Sequence, residues 1–465
     1  MNETSQSTLI EVYNCQKEYF KNGHTLDVED RIICLKKLLK LIKSNIPEIN
    51  KALFEDLKKD SFETIGHEIS GVTSEIKKSL KSVKKFSKGK RVSANLLTFP
   101  CKAMLKPRPK GNVLIIAPWN YPFLLTLRPI VSALAAGNTV IFKPSELSPS
   151  TSSLMVDLIN KNFPKELIHG FLGGVETSNN LLDLEWDHIF FTGSTSVGKI
   201  IYEKAASKLT PVTLELGGKS PCILDKNIDI ITAAKKIAWA KSINSGQTCV
   251  APDYILVPEE SKVKFYNAFS YWINKFYGPS PETNKQYTAI ISQRHFERLK
   301  SLAESSSIIF GGSLNEAERK ISPAIIEATD LDSPIMKEEI FGPLLPVITY
   351  KDNYEVFEAV DKNPNPLALY LFTDRSSWRN SILSKINAGA SVVNDLVIHL
   401  AHHKLPFGGV RQSGIGRYHG DYGLETFSHM RSEIIKPSNK MLDNPIRYAP
   451  YNALKQRIVK IIFGL

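Results

Sequence analysis

Three residues have side chains suited to acyl chemistry: Cys249 in Gly246-Gln247-Thr248-Cys249-Val250-Ala251-Pro252, Glu215 in Leu214-Glu215-Leu216-Gly217-Gly218-Lys219-Ser220-Pro221, and Asn120 in Ala117-Pro118-Trp119-Asn120-Tyr121-Pro122. A cysteine attacks as its thiolate, and a free thiol is only slightly ionised at neutral pH, so such a site must activate it. Glu215 sits in an apolar stretch, where burial raises a carboxyl toward the range useful for a base. Asn120 follows the strand-like run Val113–Ala117 and offers an amide that can hold an oxyanion. Singly, each has a plainer reading; Cys222, in the strand-like PCILD, is the buried small hydrophobe that most cysteines are. Together they form a nucleophile, a base and an oxyanion donor.

Two further segments suit a dinucleotide. Gly193-Ser194-Thr195-Ser196-Val197-Gly198 follows the strand-like HIFF and opens a helix, so Gly193, Ser194 and Gly198 would shape a turn whose N–H groups face a pyrophosphate. Thr195 replaces the middle glycine of the G-x-G-x-x-G pattern, and alone the segment is equally a tight turn. Lys143-Pro144-Ser145-Glu146 follows the strand-like TVIF, where Glu146 can accept ribose hydroxyls and Lys143 can donate. A surface turn explains it as well.

The elements that must hold these residues alternate between β and α. Helices are predicted over 27–60 and a long amphipathic helix over 63–88, then a strand-like stretch near 92–106 closed by the breaker cluster Pro107–Gly111. From 111 onward short apolar runs at 113–119, 139–144, 167–173 and 188–193 alternate with helical segments, and a second such series spans 214 to about 393. Near-continuous apolar strands of this kind predict a parallel sheet covered on both faces, hence an α/β fold.

The chain has 465 residues, 42% hydrophobic and 23% charged, ordinary for a globular enzyme of two or three domains. Its net charge of +12 comes largely from lysines in two predicted helices, and no zinc spacing, basic heptad or Arg-rich segment points to nucleic acid or metal. Five widely spaced cysteines make no disulfide framework, and the start MNETSQSTLIEVYNC lacks a secretory pattern, so a reducing cytoplasmic location is expected. The apolar stretch 113–142 is broken by Pro118, Asn120, Pro122, Arg128 and Pro129 and is no membrane span. The end, 453–465, reads as a basic amphipathic helix that either packs on protein or lies at a membrane surface.

The segments APWNYP, KPSE, FTGSTSVG, LELGGKSP, GQTCVAP, EEIFGP and PFGGVRQSGIG, in this order, resemble the signature segments of the aldehyde dehydrogenase superfamily over about residues 10–435. The short N-terminal region and the stretches around 394–409 and 416–432 resemble its class 3 branch, which includes fatty aldehyde dehydrogenases. Arg411-Gln412 stands where many class 3 members carry Gly-Asn.

The resemblance implies a Rossmann-like NAD-binding domain (1–88 and 107–213), an α/β catalytic domain (214–393), a small β oligomerisation element (89–106 and 394–435) and a tail (436–465). It implies that Cys249 attacks an aldehyde, that Asn120 and the Cys249 N–H hold the oxyanion, and that Glu215 activates the deacylating water. It gives Lys143 and Glu146 the adenosine ribose, Ser194 the pyrophosphate, and Glu339 and Phe341 the nicotinamide side; Glu339 is a second candidate base. Tyr121, Trp239 and Thr248 would line an apolar aldehyde tunnel. NAD, with NADP also accepted, and a homodimer are expected. Two rivals remain at this point, a CoA-acylating enzyme, which typically lacks the glutamate base, and a catalytically silent binding protein.

Overall fold

The computed structural model describes residues 3–95, 98–328, 330–439 and 442–465. Three helices open the chain: α1 (Gln6–Lys21), α2 (Val28–Ser44) and α3 (Ile46–Leu57). The second and third are the helices expected over 27–60; α1 lies ahead of them and buries only Leu9, Val12, Tyr13 and Gln16. Asp27 caps α2 by accepting from the Glu29 N–H.

The helix expected over 63–88 is interrupted. A short α4 (Ser61–Glu63) runs into a π-turn over Thr64–Ile69 before α5 (Ser70–Lys88) begins. The π-turn closes with the Ser70 N–H on the Ile65 carbonyl. The strand expected over 92–106 is also split: β1 (Lys90–Val92) and β2 (Lys102–Pro109) flank it, and residues 96 and 97 lie outside the described residues. Pro107 and Pro109, read as breakers, end β2 instead, a place a strand tolerates for proline when no ladder donor is needed.

The six-stranded sheet contains, in chain order, β3 (Asn112–Ile116), β4 (Thr139–Lys143), β5 (Ile168–Gly170), β6 (His188–Thr192) and β7 (Val212–Glu215), plus a two-residue strand, Gly414–Ile415. Its spatial order is Gly414–Ile415, β7, β6, β3, β4, β5, parallel except for the antiparallel pairing of Gly414–Ile415 with β7. Strands β3, β4 and β6 are buried at every residue, which explains their unbroken apolar runs. The crossover helices are α6 (Pro122–Ala136), α7 (Pro149–Asn162), α8 (Val175–Leu182) and α9 (Thr195–Ala206). Strand order reverses between β3 and β6, the switch point at whose carboxyl ends open α/β sheets bind ligands.

The seven-stranded sheet comprises β8 (Pro221–Leu224), β9 (Tyr254–Pro258), an edge strand Ser307–Phe310, and the strands Ala324–Glu327, Leu344–Tyr350, Ala368–Phe372 and Ala390–Val393. It is parallel apart from that antiparallel edge strand. Helix α10 (Ile230–Ser242) links β8 toward β9. The expected boundary at 213/214 cuts through β7, whose ladder belongs wholly to the first sheet, and Gly414–Ile415, expected in the bridging element, joins that sheet too.

The chain divides into two compact units. Met1–Lys84 with Arg108–His429 contains both large sheets; Lys85–Pro107 with Met430–Leu465 is the second. Residues 85–88, 107 and 394–429 thus fall on the other side of the expected divisions. A three-stranded sheet in the order β1, β2, Ser428–Ile435 lies mostly in the second unit, with β1 and β2 antiparallel. The predicted terminal helix is present as Ala453–Phe463, capped by the Asn452 side chain, and none of its residues is buried.

Candidate active site

The nucleophile loop is built where α10 stops. Asn244 and Ser245 take φ of 51° and 53°, followed by Gly246 at 71°. Left-handed non-glycine residues cost about 1–3 kcal/mol each and persist only where their surroundings impose them. Here the Asn244 amide donates to the carbonyls of Asn120 (2.9 Å) and Gln247 (3.1 Å), and Ser245 Oγ donates to the Thr288 carbonyl. Gln247 donates to Asn244 and Ala289 carbonyls and accepts from the Ile291 N–H. The Asn244 amide N–H groups, the Ser245 hydroxyl and the Gln247 side chain are thereby fixed just before Cys249.

Cys249 and Glu215 line one cavity of about 280 Å³. Tyr121, Trp239 and Thr248 line it as well, with Leu124, Leu125, Leu216, Ile243, Val397, Ile398 and Phe407. Tyr121 Oη and Thr248 Oγ1 bond to each other at 2.8 Å, so their polar atoms are satisfied and their carbon faces remain. Trp239 is 39% exposed and stands at the rim. The wall is mostly apolar.

Glu215 ends β7, and neither carboxyl oxygen has a protein partner although both are buried. Burial pushes its carboxyl well above the usual range. The Cys249 thiol is also pushed up, first by burial and then by the negative charges of Glu339 and Glu215, while the backbone N–H groups of Cys249 and Val250 pull it down. Those N–H groups therefore already point at charge on sulfur. Asn120, 3% exposed, is not part of the cavity lining; its amide donates one N–H to the Gln247 carbonyl at 3.0 Å, which ties it to the nucleophile loop.

Glu339 approaches from the second sheet. Its loop is gripped by the buried Lys219–Asp253 pair: Lys219 Nζ donates to the Ile335 and Glu338 carbonyls (2.9 Å each), and Asp253 Oδ1 accepts from the Ile340 N–H at 2.9 Å. Burial, then the charge of Asp253, lifts the Glu339 carboxyl to about 8, opposed by the Gly218 N–H and by Lys219 and Lys241. Lys241, fully buried on α10, is pushed down to about 8 by burial.

The dinucleotide candidates gather at the carboxyl ends of the first sheet. Lys143 closes β4, with Nζ donating to the carbonyls of Pro144 (3.1 Å) and Gly173 (3.0 Å) and to Glu146 Oε2 (3.2 Å). Ser194 caps α9, accepting from the Val197 N–H. A β-carbon on Gly193 would meet the Phe191 ring at 2.5 Å, and one on Gly198 would meet Leu216 at 2.6 Å, so a larger residue at either position must displace its neighbour. The buried Thr192 hydroxyl beside it has no partner. A bare turn, an open helix N-terminus and an exposed Glu146 carboxylate fit a pyrophosphate and a ribose diol. Phe341, with φ 49°, packs edge-on against Trp119 at 5.3 Å, next to Asn120.

Some participants were not singled out in the sequence. Arg128 lines the cavity and pairs with Glu75 at 3.2 Å, both buried. Arg128 was visible only as a break in an apolar run, and its partner lies 53 residues away. His67, Tyr418 and His419 also line the cavity without a distinguishing sequence pattern.

With this geometry established, the comparisons are specific. The model of the aldehyde dehydrogenase family matches residues 1–432. The chain is 43% identical over 449 residues to the 4,4'-diaponeurosporen-aldehyde dehydrogenase of Staphylococcus aureus (strain NCTC 8325 / PS 47), covering 96% of this chain and 97% of that one. It is 40% identical over 445 residues to aldehyde dehydrogenase family 3 member B1 of Rattus norvegicus, covering 96% and 95%. The substrate-bound structure of Staphylococcus aureus AldH superposes with a TM-score of 0.96 at 42% identity over 100% of both chains. The NAD+ complex of a Bacillus cereus aldehyde dehydrogenase gives 0.84 at 25% identity, over 93% of this chain and 89% of that one.

Proposed function

The chain belongs to the aldehyde dehydrogenase family, and we propose that it oxidises medium- to long-chain aliphatic or aromatic aldehydes through a covalent intermediate on Cys249. It is an aldehyde-oxidising oxidoreductase of class 3 type. The observation that carries the finer reading is the shared apolar cavity, which has Cys249, Glu215, Tyr121, Trp239 and Thr248 in its walls.

In this reading Cys249 reacts as its thiolate, its proton having left to solvent; Sγ forms a bond to the aldehyde carbon, and the carbonyl π pair moves onto oxygen. The second amide N–H of Asn120 and the Cys249 backbone N–H hold that oxyanion. NAD, when bound, supplies the acceptor for the hydride whose loss turns the thiohemiacetal into a thioester. Lys143 and Glu146 would hold its adenosine ribose, Ser194 in the Gly193–Gly198 turn its pyrophosphate, and Glu339 and Phe341 its nicotinamide end. Glu215, free of other partners, takes the proton from the water that attacks the thioester; the C–S bond breaks and the acid departs. Glu339 remains a second candidate for that proton.

The family uses NAD or NADP, and Glu146 favours NAD because a 2′-phosphate would meet its carboxylate. A cytoplasmic homodimer completes the proposal, with the NAD-binding role assigned to the first sheet and the catalytic role to the second. The exposed apolar residues Leu454, Ile461 and Phe463 support contact of the terminal helix with an anionic membrane surface.

The test is NADH formation without CoA over aldehydes from C3 to C16. Turnover that rises with chain length supports the proposal. Strict dependence on CoA would reassign the enzyme to acyl-CoA formation, and a preference for C3 would remove the chain-length claim.

A further inference from the structure

We infer that Lys59 and Glu68 are positioning residues for Asn120, delivered to it by the π-turn over Thr64–Ile69. The inference rests on the reading of Asn120 as oxyanion donor. Lys59 Nζ and Glu68 Oε1 pair at 2.5 Å, and neither side chain has any solvent exposure. A buried ion pair offers little net stability over an apolar pair of the same volume. What distinguishes this one is where its remaining valences go.

All of them go to one five-residue segment. Lys59 Nζ donates to the Asn120 carbonyl at 3.3 Å and lies 4.4 Å above the Tyr121 ring. Glu68 Oε2 accepts from the N–H groups of Phe123 and Leu124, each at 3.1 Å. These are the first free donors of α6, since Pro122 has none and Tyr121 provides no side-chain cap. Glu68 thus caps a helix in a distant part of the chain, and Asn120 stands at that helix's entrance.

The π-turn makes this reach possible. In an α-helix, residues five apart point roughly 140° away from each other. An i→i+5 turn brings them back onto one face, and Glu63 and Glu68 both face inward here. Glu63 accepts from the Asn244 N–H at 3.2 Å and from Thr288 Oγ1 at 3.2 Å, on the nucleophile side. One turn therefore holds the loop that carries Cys249 with one carboxylate and the segment that carries Asn120 with the other.

The experiment is a double-mutant cycle on the full-length enzyme. Lys59→Met and Glu68→Gln are each combined with Asn120→Ala, and kcat, NAD affinity and the rate of Cys249 alkylation are measured. Lys59→Met keeps the side chain's length without its charge; Glu68→Gln keeps an acceptor oxygen. Each single change is expected to lower kcat about tenfold or more, because small misplacements of catalytic groups are costly. NAD affinity and alkylation should stay within about twofold, and each double variant should be no slower than Asn120→Ala alone. The inference is overturned if kcat is unchanged, if losses multiply in the double variants, or if NAD binding and alkylation fall in step with kcat. Should Lys59→Met not fold, Glu68→Gln carries the cycle. Full kcat in Asn120→Ala would instead sink the oxyanion reading beneath it.

Discussion

The carboxylate of Glu339 lies against the bare α-carbon of Gly217, so closely that a β-carbon built there would overlap Oε2. The neighbouring Gly218 N–H faces the same carboxylate. The two glycines after Glu215 thus leave room for a second acid from the other sheet. Gly217→Ala must push Glu339 away, and kcat/KM for aldehyde is expected to fall by roughly tenfold, about 1.4 kcal/mol of barrier. Steady-state kinetics with unchanged thermal stability would separate this from misfolding.

Cys249→Ser should abolish dehydrogenase turnover and leave NAD binding largely intact, since Cys249 touches none of the proposed cofactor contacts. Glu215→Gln should still form the acyl-enzyme but hydrolyse it slowly. Rapid mixing should then show a full NADH burst followed by a steady rate lowered about 100-fold or more. Absence of the burst would move Glu215 to the first chemical step.

Glu339, lifted from 4.5 to about 8, is protonated over much of the neutral range. As the base it works only as the anion, so turnover that depends on this role should rise with pH through about 8. Asp253→Asn removes the repelling charge and keeps an acceptor for Ile340, so the same limb should move to lower pH. The stability effect has the opposite direction. A carboxyl with a raised folded pKa favours the folded state fully below 4.5 and loses that contribution as pH rises through about 8. Urea titrations of Glu339→Gln should accordingly show a shallower decline in stability across this interval.

Glu146 is 39% exposed and restrained only by Lys143, so it can be exchanged without disturbing a core. Glu146→Thr removes the charge that a 2′-phosphate would meet. The ratio of kcat/KM for NAD over NADP should fall about tenfold, and a ratio that does not move would place the discrimination elsewhere.

Deleting residues 450–465 should reduce sedimentation with anionic liposomes while leaving activity on soluble short aldehydes unaltered. Undiminished liposome binding would refute the membrane role of the terminal helix. Among the described residues no helix is long and apolar enough to cross a membrane.

The candidate site was legible as a grouping, because Asn120 follows β3, Glu215 closes β7 and Cys249 follows α10, each in polar or glycine-containing company. The parallel strands were legible because burial on both faces leaves them almost wholly apolar. The π-turn was not, since one extra residue in a turn leaves the hydrophobic stripe of 63–88 nearly unchanged. Gly414–Ile415 is too short to show any period, which is why its place in the first sheet was missed. Pairs such as Arg128 with Glu75 depend on distance in space, and one chain's spacing does not encode it.

The cavity wall has a consequence for the end of the reaction. The substrate enters uncharged, and the product leaves as an anion. Arg128, among the described residues the only arginine or lysine in that wall, is already committed to Glu75, and burial lowers the His67 and His419 imidazoles below their usual range. A newly formed carboxylate therefore finds no counter-ion and stands near the acid Glu215. Weak inhibition by the acid product is therefore the expected outcome, measurable as a high inhibition constant for the carboxylate of a good aldehyde substrate.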